Sequence, residues 1–218
     1  MAVDKLREGK STRCTCPILS LPDQWERALA NRYGTLTTRY IDYLVERARG
    51  DAGFIQVEST YVDPGGMGHV YQVGCHGDHV IPALARMAEA VQGAGAKVAL
   101  ELYFGGRPTS PSMSQRQAIG PSVVKCGKLT PVPTPHAMTE QDIQEIMENF
   151  AQAARRVVEA GLDMIHPQGS DDYGGALENR ARFPLEVLAA VCRVWVKQDD
   201  RGVSGCHSPQ NKSFAAPH

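Results

Sequence analysis

The stretch AKVALELYFGGR, Ala96–Arg107, decides how the rest of the chain is placed. Its first half alternates small and apolar residues across Val98, Leu100 and Leu102, then stops at Gly105-Gly106 with Arg107 just beyond. That pattern predicts a buried strand, Lys97 to Tyr103, whose C-terminal end opens into a functional loop. Glu101 stands mid-strand among apolar neighbours, so it either points into a site or marks a water-exposed edge. Arg107, after two glycines, either holds an anion or is an ordinary loop arginine.

Working outward, three helix-then-strand units emerge. Tyr40, Ile41, Leu44, Val45 and Ala48 recur at helical spacing, Arg47 and Arg49 complement the C-terminal dipole, and Gly50 supplies a stop. A strand follows from Phe54 to Ser59. The turn-rich Asp63–Gly68 leads to a second helix, with Pro82 in its first turn and Leu84, Met87, Ala88 and Val91 on one face; the Lys97 strand follows it. Residues 105–138 are proline-rich and weakly periodic and read as a long excursion, of the kind that is usually functional or disordered. Thr139 and Asp142 then predict a capped helix start, and Ile143, Ile146, Met147, Phe150, Ala154, Val157 and Val158 form one apolar stripe. After Gly161, Leu162 to Ile165 reads as a third strand, and a fourth helix is expected from about Glu178 to Val196 with Phe183, Val187, Leu188 and Val191 inward. The alternation predicts an α/β fold with parallel strands covered by helices. Residues 1–27, interrupted by Pro17 and Pro22, show no clear element, and 199–218 reads as a disordered tail.

The 218 residues carry a net charge of -1, with 42% hydrophobic and 22% charged residues. There is no basic excess to hold a nucleic-acid backbone or an anionic membrane, and no apolar run long enough to span a bilayer. No apolar leader precedes Cys14, so a cytoplasmic setting is expected, with the six cysteines as free thiols. His69, Cys75, His76 and His79 are metal-ligand types at a spacing that fits no zinc pattern, so a solvated polar loop is expected and no metal site. A zinc module there is the minor alternative. His166 closes the third strand, at the end where α/β folds gather ligands, and reads equally as a functional or a structural residue.

Taken together, GTLTTRYIDYLVERARGDAGFIQVEST, VALELYFGGR, the Gly120-Pro121-Ser122 turn, MTEQDIQEIMENFAQAARRVVEAGLD and DDYGGALENRARFPLEV resemble the N-terminal half of the old yellow enzyme family. The likeness runs from about Ala28 to Val196 and is nearest to the 2,4-dienoyl-CoA reductase and NADH:flavin oxidoreductase branch. It implies a flavin oxidoreductase barrel domain over 28–198: a partial TIM (β/α)8 barrel, with about half of the strands present. FMN would lie at the strand C-termini, reduced by NAD(P)H and reoxidised by an activated alkene such as an enone or enoyl thioester.

Residue by residue, the resemblance puts Ser59 beside the flavin ring and Glu101 at the family's flavin-binding glutamine. His166 takes the place of the first of two residues that bind the substrate's activating oxygen, and is the catalytic candidate. Three departures stand out. Glu101 replaces an amide with a carboxylate, Phe104 stands where histidine is common, and the segment from Asp163 to Tyr173 is abbreviated, with no counterpart for the second oxygen ligand or the tyrosine acid. The competing expectation is a catalytically inactive fragment or subunit that pairs its open sheet edges with a second copy or another protein.

Overall fold

The computed structural model of the chain describes residues 20–22, 28–106, 109, 114, 116–120, 123, 134–168 and 185–194. Its centre is a four-stranded, wholly parallel sheet whose spatial order follows the chain: β1 (Ser20–Pro22), β2 (Phe54–Tyr61), β3 (Lys97–Tyr103) and, farther along, β6 (Met164–Gln168). A separate pair, β4 (Ile119–Gly120) and β5 (His136–Ala137), lies in the excursion that the sequence leaves unpatterned.

The helices form where stripe and cap agree. In α1 (Thr38–Arg49), Thr37 caps the start by accepting from the Tyr40 N–H, and its hydroxyl donates to Leu29 O at 2.7 Å, tying the helix to the preceding loop. Helix α2 (Ile81–Gly93) carries Pro82 in its first turn. Helix α3 (Glu140–Glu159) has the expected capping box: the Asp142 N–H donates to Thr139 Oγ1 at 3.2 Å, and the Thr139 N–H to Asp142 Oδ2 at 2.7 Å. Residues 185–194 are also helical.

These helices cover one face of the sheet. Ile55, Val57, Val98, Leu100 and Leu102 meet Tyr40, Leu44, Leu84, Met87, Phe150 and Val157 in a continuous buried core. Each large side chain so buried contributes about 1.5–3 kcal/mol. The opposite, inner face carries Gln56, Ser59, Ala99, Glu101, Met164 and His166, because side chains alternate along a strand. Register shifts between Val57 and Ser59, and the extra residue, Glu58, is fully buried. That bulge keeps both Gln56 and Ser59 on the inner face although they are three residues apart.

Several expectations are corrected. The third strand begins at Met164 rather than Leu162, because Asp163 is held in a side-chain clasp ahead of it. Residues 1–27 do contain a strand, β1; three residues ending in Pro22 are too short for any periodicity to show. Leu188, expected inward, is 43% exposed, while Val187 and Val191 are buried. Cys75 is free but Cys192 is disulfide-bonded, against the expectation of free thiols throughout. Arg107, Phe183, the DDYGG motif and the 199–218 tail lie outside the described residues.

Candidate active site

Strand register brings the three expected site residues into one row. Ser59 of β2 stands opposite Glu101 of β3, which stands opposite His166 of β6. The Glu101 side chain is 4% exposed and that of His166 51%. Glu101 is therefore a buried polar residue of the inner face and not part of a water-exposed edge. Such a carboxylate must find a donor. It does so in Gln56, whose Nε2 donates to Glu101 Oε2 at 2.6 Å and lies 3.2 Å from His166 Nδ1. His166 Nδ1 itself is 3.8 Å from Glu101 Oε2.

Gln56 was not singled out from the sequence, because its strand, FIQVESTY, carries several polar residues and one more does not stand out as Glu101 does in β3. Its register partner is Ala99, two residues before Glu101. Only a methyl group stands there, so the Gln56 side chain can run diagonally over it to its neighbours' level. Gln72 was missed too, because it lies in a loop. It is buried, and its Nε2 donates to Ser59 O at 2.8 Å and to Ser59 Oγ at 3.1 Å, while its Oε1 accepts from the Gly68 N–H at 2.8 Å. Ser59 acts as acceptor in that bond and keeps its own O–H to donate.

The histidine-rich loop does different work. His76 stacks on Tyr61 with ring centroids 5.0 Å apart and meets His79 edge-on at the same distance. Burial, then the neighbouring His79, lowers the His76 pKa to about 4, so it packs as a neutral ring. Burial pushes the Cys75 thiol up to about 12, which makes it inert. Among the described residues no group of three His, Cys, Asp or Glu side chains is placed to hold a metal. Phe104 is buried at the end of β3, and its ring fills the space that a side chain on Gly66 would need. Beyond it lies a cleft of about 130 Å³ lined by Asp63, Arg116, Glu145 and Asn149 among others. Asp63 is already engaged there by the Gly65 N–H and Arg116.

Residues 26–209 match the model of the NADH:flavin oxidoreductase / NADH oxidase family. The chain belongs to that family. It is 35% identical over 182 residues to an NADH oxidase of Thermoanaerobacter brockii, covering 75% of this chain and 28% of that protein. It is 33% identical over 179 residues to an NADPH dehydrogenase of Halalkalibacterium halodurans, covering 74% of this chain and 51% of the relative. Among solved structures, morphinone reductase in complex with tetrahydroNAD superposes with a TM-score of 0.71 at 29% identity, covering 83% of this chain and 58% of that one. The old yellow enzyme homologue from Zymomonas mobilis gives a TM-score of 0.71 at 25% identity, covering 80% and 55%. The chain thus spans about half the length of these solved structures and at most about half of the two relatives named.

The family binds FMN and uses NAD(P)H. The donor set of the row fits such a ring. The polar edge of a flavin presents both acceptors and an N–H, and the row offers an acceptor in Glu101 and a hydroxyl in Ser59, with the Gln56 NH2 turned to Glu101 and His166.

Proposed function

We propose that this chain forms the flavin-facing strands of an FMN-dependent oxidoreductase of the old yellow enzyme type. Bound FMN would supply hydride transfer from NAD(P)H to an activated alkene, an enone or enoyl thioester. The single observation that carries the reading is the register row Ser59–Glu101–His166 on the inner face of three adjacent parallel strands. In this reading Glu101 and Ser59 bind the polar ring edge, and Gln56 holds Glu101 in place. His166, half exposed, hydrogen-bonds the oxygen that activates the alkene. The helices behind β2, β3 and β6 keep water from the sheet's other face. We assign this role to residues 28–198, with β1 extending the sheet, and to a cytoplasmic protein acting on small molecules. The test is titration of the purified chain with FMN, read by flavin fluorescence, followed by NADPH oxidation dependent on cyclohexenone. Saturable binding and alkene-dependent oxidation are expected; a chain that binds no flavin at high micromolar FMN overturns the proposal.

One observation favours a second reading, a subunit that works by association. In the described sheet β6 pairs with β3 alone, and Met164 at its start is 49% exposed. A second copy or another protein laid along that edge would bury both. A stable dimer without flavin, on size exclusion with mass detection, would favour this reading over the first.

A further inference from the structure

We infer that Glu101 and Gln56 are positioning residues that fix His166 in the tautomer protonated on Nε2. The Gln56 amide lies between an acceptor-only group and a ring nitrogen, 2.6 Å from Glu101 Oε2 and 3.2 Å from His166 Nδ1. Its two ends look alike in shape, and what distinguishes them is the hydrogen bonding around them. With Oε1 turned toward Glu101, two acceptors would face each other at 2.6 Å in a buried position. The carboxylate therefore commands the NH2 end. That same nitrogen carries a second hydrogen, and His166 Nδ1 lies within its reach at 3.2 Å. A neutral imidazole that accepts at Nδ1 must carry its proton on Nε2.

The direction of the whole relay is set by Glu101. A glutamine there could present either end of its amide to Gln56 and would leave both amides, and hence the imidazole, free to reverse. The carboxylate at this position thus gains a specific function: it gives His166 one donor, Nε2–H, on a ring that is half exposed on the inner face. A group that must hydrogen-bond a carbonyl oxygen needs that donor. This last step rests on the proposed function, whereas the tautomer itself does not.

The test is two-bond 15N–1H correlation of the imidazoles in the full chain without FMN at pH 8, with the His166 signals assigned by His166→Asn. An Nε2–H tautomer is expected in the wild type. Gln56→Glu replaces the donor by an acceptor and should turn His166 to Nδ1–H or to the doubly protonated ring. Gln56→Met, close in shape and unable to hydrogen-bond, should release the ring to the ordinary mixture, and it covers the case in which two adjacent carboxylates prevent folding. A wild-type His166 protonated on Nδ1 overturns the inference, as does a spectrum that neither variant changes. Flavin titration of the same samples keeps the two claims apart: a fixed tautomer without flavin binding upholds the relay and defeats the proposed function.

Discussion

At position 101 a carboxylate stands where the resemblance expects an amide, and its surroundings show what the exchange does. The buried Glu101 accepts from Gln56 and faces the row that would meet a flavin edge. A carboxylate there only accepts, and it opposes the negative charge that a flavin gains on reduction. Glu101→Gln should therefore tighten FMN binding by roughly tenfold, about 1.4 kcal/mol, the scale of one hydrogen bond. Fluorescence titration measures it, and an unchanged affinity would count against Glu101's place at the ring. Gly34 is a second residue that can be judged alone. Its φ is +78°, and a side chain there would meet the Tyr61 hydroxyl and the Gly74 backbone. Gly34→Ala should cost about 1–3 kcal/mol, seen as a fall of several degrees in Tm. Retention of wild-type Tm would show that the 61–74 loop yields easily.

At the scale of elements, β6 depends on the clasp that precedes it. Burial works against ionisation of Asp163, but Lys97 at 2.7 Å, the Val98 N–H at 3.0 Å and Gln92 at 2.9 Å outweigh it and hold its carboxyl below the usual range. A depressed folded pKa contributes stability that is present above the unfolded value near 3.8 and is lost as pH falls through the lower, folded value. Acid should thus loosen the β3–β6 pairing, and Asp163→Asn should flatten the stability curve below about pH 4 while costing about 2 kcal/mol at neutral pH. Urea melts across pH decide it; identical slopes in the two proteins would remove Asp163 from the account. The clasp also explains why the third strand was legible only approximately. Its apolar pattern begins at Leu162, yet the strand itself starts at Met164, after Asp163 has bonded Val98 O through its N–H and been clasped through its side chain, and no periodicity records such a clasp. Strand β3 and the start of α3 were legible because burial pattern, cap residues and breaker all agree in sequence. The Gln56 bridge was not, because it depends on register across three strands, with a bulge at Glu58 that rephases β2.

At the scale of the whole molecule, the helices and the sheet's outer face account for the buried core, while the inner face ends at β6 with Met164 and His166 about half exposed. A ligand held on that face binds only the folded chain, since the row Ser59–Glu101–His166 exists only in register. Linkage then fixes the size of the effect: FMN at about 100 times its Kd should add about 2.7 kcal/mol, a rise of roughly 5–10 °C in Tm. The protection should be local as well as global. Amide exchange should slow along β2, β3 and β6, whose inner face the ligand would cover, and should change little at the exposed ends of α1. Self-association leaves a different record, because a midpoint governed by it rises with protein concentration and is indifferent to FMN. A Tm that climbs with flavin at fixed protein concentration selects the flavin-facing sheet; one that climbs only with protein concentration selects the association edge along β6.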